Sequence, residues 1–189
     1  MIESLKKEIK NVLSEKRYAH SLKVAKIASD LAKNYGIDPE KAEIAGLLHD
    51  CAKEIPLPLL LSKAEQYGVE LDEIEKQNPA LLHAIVGAEV AYNEFGIKDE
   101  DILSSIAKHT TGSKEMSALD QIIYVADYLD PLRNYQNVEL IKELAMKNLD
   151  LAVGKTAAEI LKYLKKRDAL IHPNTLECID NYADKKQEI

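Results

Sequence analysis

At 189 residues the chain is long enough to bury a core without disulfides or a structural metal. Its two cysteines, Cys51 and Cys178, lie far apart without CxxC spacing, which excludes a disulfide framework and a thiolate zinc site. The formal charge is −7, with basic residues scattered as i,i+3 and i,i+4 partners of glutamate, so no nucleic-acid partner is expected.

No apolar run reaches bilayer length and the first residues form an amphipathic charged helix without an apolar h-region, which predicts no membrane contact and a cytoplasmic protein. That helix either covers its own chain or pairs two copies as a homodimer. Hydrophobic residues at 46%, charged residues at 30% and few glycines and prolines predict an all-α fold, a single-domain helical bundle.

Apolar residues at helical spacing and end signals predict helices at 2–14 and about 17–35, the second with Val24, Ile27, Ala28 and Leu31 inward. Asp38-Pro39, a cap followed by a residue with no donor to orphan, restarts the chain into a helix reaching Asp50. Shorter segments follow at 58–67 and Leu71 to Lys76, then helices from Ala80 to Phe95 and from Asp99 through His109. Ser117 with Asp120 resembles a capping box opening the helix of Asp127, which Asp130-Pro131 ends. Helices near 138–149 and 150–168, the segment Ile171-His172-Pro173-Asn174 and a last helix before a charged tail complete the chain. One domain, 1–189, is expected, with a core at about 16–135 completed by helices in 138–183.

His20, His49-Asp50, His83, His109 and Asp127 each fall on or at the end of a helix with an oily neighbouring face. A single inward histidine is ordinarily a hydrogen-bonded core residue. Four histidines and two aspartates together would each need a separate partner, whereas one divalent cation binds mixed imidazole and carboxylate donors in one place. His83 shares a face with Ala80 and Gly87, small residues that suit either a ligand or close helix packing. His109 sits where the last carbonyls of its helix favour a positive neighbour. Lys53 follows His49 by one turn, placed to meet an anion or else to pair with Glu54 or Glu43. Two of only three arginines, Arg17 and Arg133, flank these positions, and a guanidinium grips phosphate oxygens bidentately; the third, Arg167, reads as solvated surface. Cys51 reads as a small buried residue.

The segments Arg17-Tyr-Ala-His-Ser, Gly46-Leu-Leu-His-Asp-Cys-Ala-Lys, His109-Thr-Thr-Gly, Ala126-Asp-Tyr-Leu-Asp-Pro-Leu-Arg and Ile171-His-Pro-Asn-Thr resemble the YqeK family of the HD superfamily of metal-dependent phosphohydrolases. The resemblance implies symmetrical hydrolysis of dinucleoside tetraphosphates, diadenosine tetraphosphate giving two ADP. It implies a divalent metal, iron first with manganese, cobalt or zinc as alternatives, held by His20, His49, Asp50 and Asp127. It places Arg17, Lys53, His83, His109, Thr110, Arg133 and His172 at the nucleotide, with a second metal at His83 and His109 as the alternative to substrate contact. Asp50, Lys53, His83 and His109 are then the candidates for the chemistry. Other readings are a nucleotidase or deoxynucleotide triphosphohydrolase, a nucleotide-binding regulatory module, and a helical scaffold with buried histidines.

Overall fold

A computed structural model describes residues 1–131 and 135–182, with Pro79 and Ala80 described in their backbone only. All regular structure among the described residues is helical: α1 (Ile2–Val12), α2 (Glu15–Asn34), α3 (Pro39–Leu48), α4 (Leu57–Gln66), α5 (Glu73–Gln77), α6 (Pro79–Asn93), α7 (Glu100–Lys108), α8 (Ala118–Tyr128), α9 (Val138–Lys147), α10 (Leu149–Lys166) and α11 (Pro173–Tyr182). The all-α expectation holds. None of these helices is long and apolar enough to cross a membrane. Arg133 and the charged tail from residue 183 lie outside the described residues, as does the side chain of Ala80.

The boundaries follow from caps that satisfy orphan amides. The Ser14 hydroxyl accepts the Arg17 amide, so α2 begins two residues earlier than expected and α1 ends before it. Asp38 Oδ1 accepts the Glu40 and Lys41 amides ahead of Pro39, and the Ser117/Asp120 capping box forms in both directions. Asn148 is extended and its Oδ1 accepts the Leu151 amide, a sharp break between α9 and α10. α1 buries Leu5 and Ile9 against its own chain, so its apolar side covers the body.

Two helix crossings set the site. In α3, a Cβ on Gly46 would lie 2.7 Å from the Ala25 Cα of α2, so these backbones touch only because residue 46 is glycine. In α6, Gly87 packs toward Ala52 and Ile106, where a Cβ would make ordinary contacts at 3.6 Å. Gly87 thus serves helix packing rather than ligand access. His20 lies five residues before Ala25 and His49 three after Gly46; His83 lies four before Gly87 and His109 three after Ile106. At 1.5 Å rise per residue, each antiparallel crossing delivers its two histidines to the same end, about 5–8 Å away. α8 packs against α2, α3, α7 and α10 and brings Asp127 to that end.

Candidate metal and phosphate site

His49 and His109 are built alike. Each is the residue that closes its helix, in right-handed geometry, and each turns Nδ1 to the carbonyl three residues back: Gly46 O at 2.7 Å and Ile106 O at 2.6 Å. A carbonyl only accepts, so Nδ1 carries the proton and Nε2 presents a lone pair. The free last-turn carbonyl at His109 therefore fixes a tautomer, where sequence reasoning had it favouring a positive charge. His20 reaches the same state through a carboxylate, its Nδ1 lying 2.5 Å from Asp130 Oδ2. Three imidazoles are thus oriented from behind, with Nε2 facing forward.

Those Nε2 atoms converge on Asp50, which is 1% exposed and divides its two oxygens between two groups. On the Oδ2 side, His20 Nε2 lies 3.2 Å from His49 Nε2, 3.5 Å from Asp50 Oδ2 and 3.0 Å from Asp127 Oδ1. His49 Nε2 lies 3.4 Å and 3.5 Å from the same two oxygens. Donors about 2.1 Å from a common centre are separated by about 3.0 Å in octahedral and about 3.4 Å in tetrahedral geometry. The donor set fits a divalent cation in spacing, in donor type and in ring tautomer. The facing carboxylates outnumber the Arg17 guanidinium that meets Asp50 Oδ2, an excess that a proton on His49 or a bound cation offsets. Burial opposes charging His49, but the Asp50 and Asp127 carboxylates outweigh it and bring its pKa to about 9.

On the Oδ1 side, Asp50 lies 3.1 Å from His83 Nε2 and 3.6 Å from His109 Nε2, and these two nitrogens are 3.1 Å apart. Lys53 Nζ lies 3.2 Å and 3.3 Å from the two His83 ring nitrogens. Glu54 accepts from Ser14 and Glu43 pairs with Lys6, so neither acid is the Lys53 partner that a surface role would give it. Burial, with Lys53 and His109 adding to it against the pull of Asp50, lowers the His83 pKa to about 3. His109 is lowered too, chiefly by burial.

Both groups open into one cavity of about 820 Å³, lined at its deep end by Asp50, Lys53, His83, His109, Thr110 and Asp127. Thr110 Oγ1 is 3.4 Å from His109 Nε2. His172 lines the cavity further out, where its Nδ1 accepts the Asn174 amide, so Nε2 carries the proton and donates it to Asp72 Oδ2 at 3.0 Å. Asp72, Glu75 and His172 are close enough to resemble a cation site, but a protonated Nε2 makes this a hydrogen-bonded tie between the start of α5 and the chain before α11.

Arg17, expected at the nucleotide, meets Asp50. Its Nη1 donates to Asp50 Oδ2 at 2.6 Å, and it is not among the described residues lining the cavity. Sequence reasoning missed Asp130, which was read only as a helix terminator. Its position, i+3 from Asp127 and hence on the same face of the α8 spiral, was the available signal. Arg133, expected at the nucleotide, lies outside the described residues. Cys51 is buried, gives its thiol to Gly87 O at 3.3 Å and has its pKa pushed up by burial, which leaves it no ligand role.

Residues 17–132, which include all six inward-facing His and Asp positions named from sequence, match the model of the HD domain. The chain belongs to the HD family. It is 34% identical over 98% of its length to a Staphylococcus aureus protein named Bis(5'-nucleosyl)-tetraphosphatase, symmetrical, of which 97% is covered. A protein of the same name from Halalkalibacterium halodurans is 38% identical, with 89% of each chain covered. A crystal structure from Clostridium acetobutylicum, described as a predicted HD superfamily hydrolase involved in NAD metabolism, superposes with a TM-score of 0.93 at 37% identity over 98% of both chains.

Proposed function

We propose that this HD-family chain is a metal-dependent hydrolase that cuts dinucleoside tetraphosphates at the central phosphoanhydride, turning diadenosine tetraphosphate and water into two ADP. The single observation that carries the reading is the convergence of oriented Nε2 lone pairs on both oxygens of buried Asp50 at the floor of a nucleotide-sized cavity. Its support in specificity is the name shared by full-length relatives.

His20, His49, Asp50 and Asp127 would hold the cation, with iron proposed first. When bound, a divalent cation there supplies a Lewis acid that makes water nucleophilic near neutral pH and offsets phosphoryl charge. Asp50 Oδ1 faces away from the Oδ2 donors toward His83 and His109, where it is placed to take the proton of a water attacking phosphorus. Lys53 and His83 meet the phosphoryl oxygens, and the Thr110 hydroxyl adds a donor beside His109. Arg17 holds Asp50 from behind, and residues between Glu159 and Thr175 wall the outer part of the cavity as part of the same domain.

A second cation at Asp50 Oδ1, His83 Nε2 and His109 Nε2 is favoured by their spacing of 3.1–3.6 Å. The Lys53 ammonium against His83 already supplies a positive charge there, so we assign these groups to substrate. Chromatography of the products tests the function: diadenosine tetraphosphate with iron or manganese gives ADP alone, whereas ATP plus AMP, or no turnover, contradicts it.

A further inference from the structure

The cavity does not stop at the ion-binding end. The first half of α10 buries Leu149, Ala152, Val153 and Ala157 in the core, but its second half, with the capping residue Arg167, turns Ile160, Tyr163, Leu164 and Arg167 to the cavity. These positions recur at three- and four-residue spacing, the stripe that ordinarily packs on another helix. Here Ile160 and Leu164 are only half-buried, Tyr163 is 42% exposed and neighbouring Leu170 is 53% exposed. Across the lobe, the Tyr135 ring is fixed by stacking on Tyr128 at 4.6 Å and 16°. It meets Tyr163 edge-on at 5.9 Å. The Arg167 guanidinium sits 5.1 Å over the Tyr163 ring and also donates to its hydroxyl. Lys166 lines the same rim.

A Tyr–Arg pair one turn apart is ordinary on a helix surface. What distinguishes this one is that its apolar row faces a cavity running continuously to Asp50, His83 and His109. A ligand with phosphates at the deep end and a flat aromatic group at the other would cover the row with that group, its edge reaching the rim at Lys166 and Arg167. We propose that this outer lobe is a nucleoside subsite, in which a nucleobase stacks on Tyr163 beside Tyr135 with Arg167 at its edge. The inference rests on the nucleotide-hydrolase reading and adds to it the residues that recognise the nucleoside.

The chain contains no tryptophan, so Tyr163→Trp creates a single reporter at an exposed position. With manganese supplied, ADP is expected to quench its emission and pyrophosphate is not. By titration calorimetry, Tyr163→Ala raises the ADP dissociation constant about tenfold and leaves that of pyrophosphate unchanged, while Tyr163→Phe behaves as wild type. Unaltered ADP affinity in Tyr163→Ala, or equal weakening of both ligands, overturns the subsite. Failure of the wild type to turn diadenosine tetraphosphate into ADP would instead overturn the reaction and leave the difference between ADP and pyrophosphate to be judged separately.

Discussion

Each oxygen of Asp50 faces a histidine pair in which one ring, His49 or His109, is held at Nδ1 by the carbonyl three residues back, yet the two sides shift their imidazoles in opposite directions. On the Oδ2 side, a second carboxylate, Asp127, joins His20 and His49, and the His49 pKa rises to about 9 despite complete burial. On the Oδ1 side, an ammonium, Lys53, takes the place of that carboxylate, and the His83 pKa falls to about 3. Burial lowers both imidazoles; at His49 the Asp50 and Asp127 carboxylates together outweigh it, whereas at His83 Asp50 does not, and Lys53 and His109 add to the lowering. Each side has one protein cation, Arg17 at Oδ2 and Lys53 beside His83, but the Oδ2 side holds a second carboxylate as well and so keeps a negative excess, whereas the Oδ1 side offers donors to an anion. On the proposed reading, the Oδ2 side would be the pole that holds the metal and the Oδ1 side the pole that holds the phosphate, around a shared carboxylate.

The largest effect should come from Asp50 itself, because it alone belongs to both sides. Asp50→Asn keeps the shape and removes the charge, and we expect kcat/KM to fall by about three orders of magnitude together with loss of bound metal. The two poles then separate in the next pair of variants. Asp127→Asn should lose metal on dialysis and regain activity in excess metal. Lys53→Ala should keep its metal, measured by elemental analysis, while kcat/KM drops about a hundredfold. Metal loss in Lys53→Ala would break the comparison.

Asp130→Asn leaves the four donors in place but weakens the hold on His20 Nδ1, so metal affinity should fall about 10- to 100-fold in a chelator competition. The smallest effects concern the stability of metal-free protein. His49 is raised above its ordinary 6.5, so the native state binds the extra proton and stability is lost as pH rises from there through about 9. His83 is lowered, so stability is lost as pH falls from 6.5 toward about 3. Asp50, buried but held well below the usual carboxylate range by His49 and its other imidazole partners, adds to that acid limb. Denaturant midpoints of the metal-free chain should therefore peak near neutrality. His49→Gln should flatten the alkaline limb and His83→Gln the acid one.

The helices were legible because their ends carry local chemistry: Asp38 before Pro39, Asp99 before α7 and the Ser117/Asp120 box all cap as their side chains suggest. The donor residues were legible as polar groups on oily helices, and coordinates bring His20, His49, Asp50, His83, His109 and Asp127 to one place. Their division into two sides was not, because it depends on which oxygen of Asp50 each ring meets. Arg17 illustrates the limit: its attachment to Asp50 spans 33 residues, and no local pattern distinguishes it from a phosphate clamp. The tie between His172 and Asp72 spans 100. Gly46 was passed over because the need for a bare backbone arises only where α3 crosses Ala25. Arg167 was read as surface and is indeed exposed, yet its contact with Tyr163 at the cavity rim follows from the way α10 turns, which periodicity alone leaves open.

The most direct test is an anomalous difference map from crystals grown with iron or manganese. A single strong peak should lie about 2.0–2.2 Å from His20 Nε2, His49 Nε2, Asp50 Oδ2 and Asp127 Oδ1, with Lys53 still beside His83. A map without that peak, or with its density at Asp72, Glu75 and His172, would contradict the assignment of the two poles.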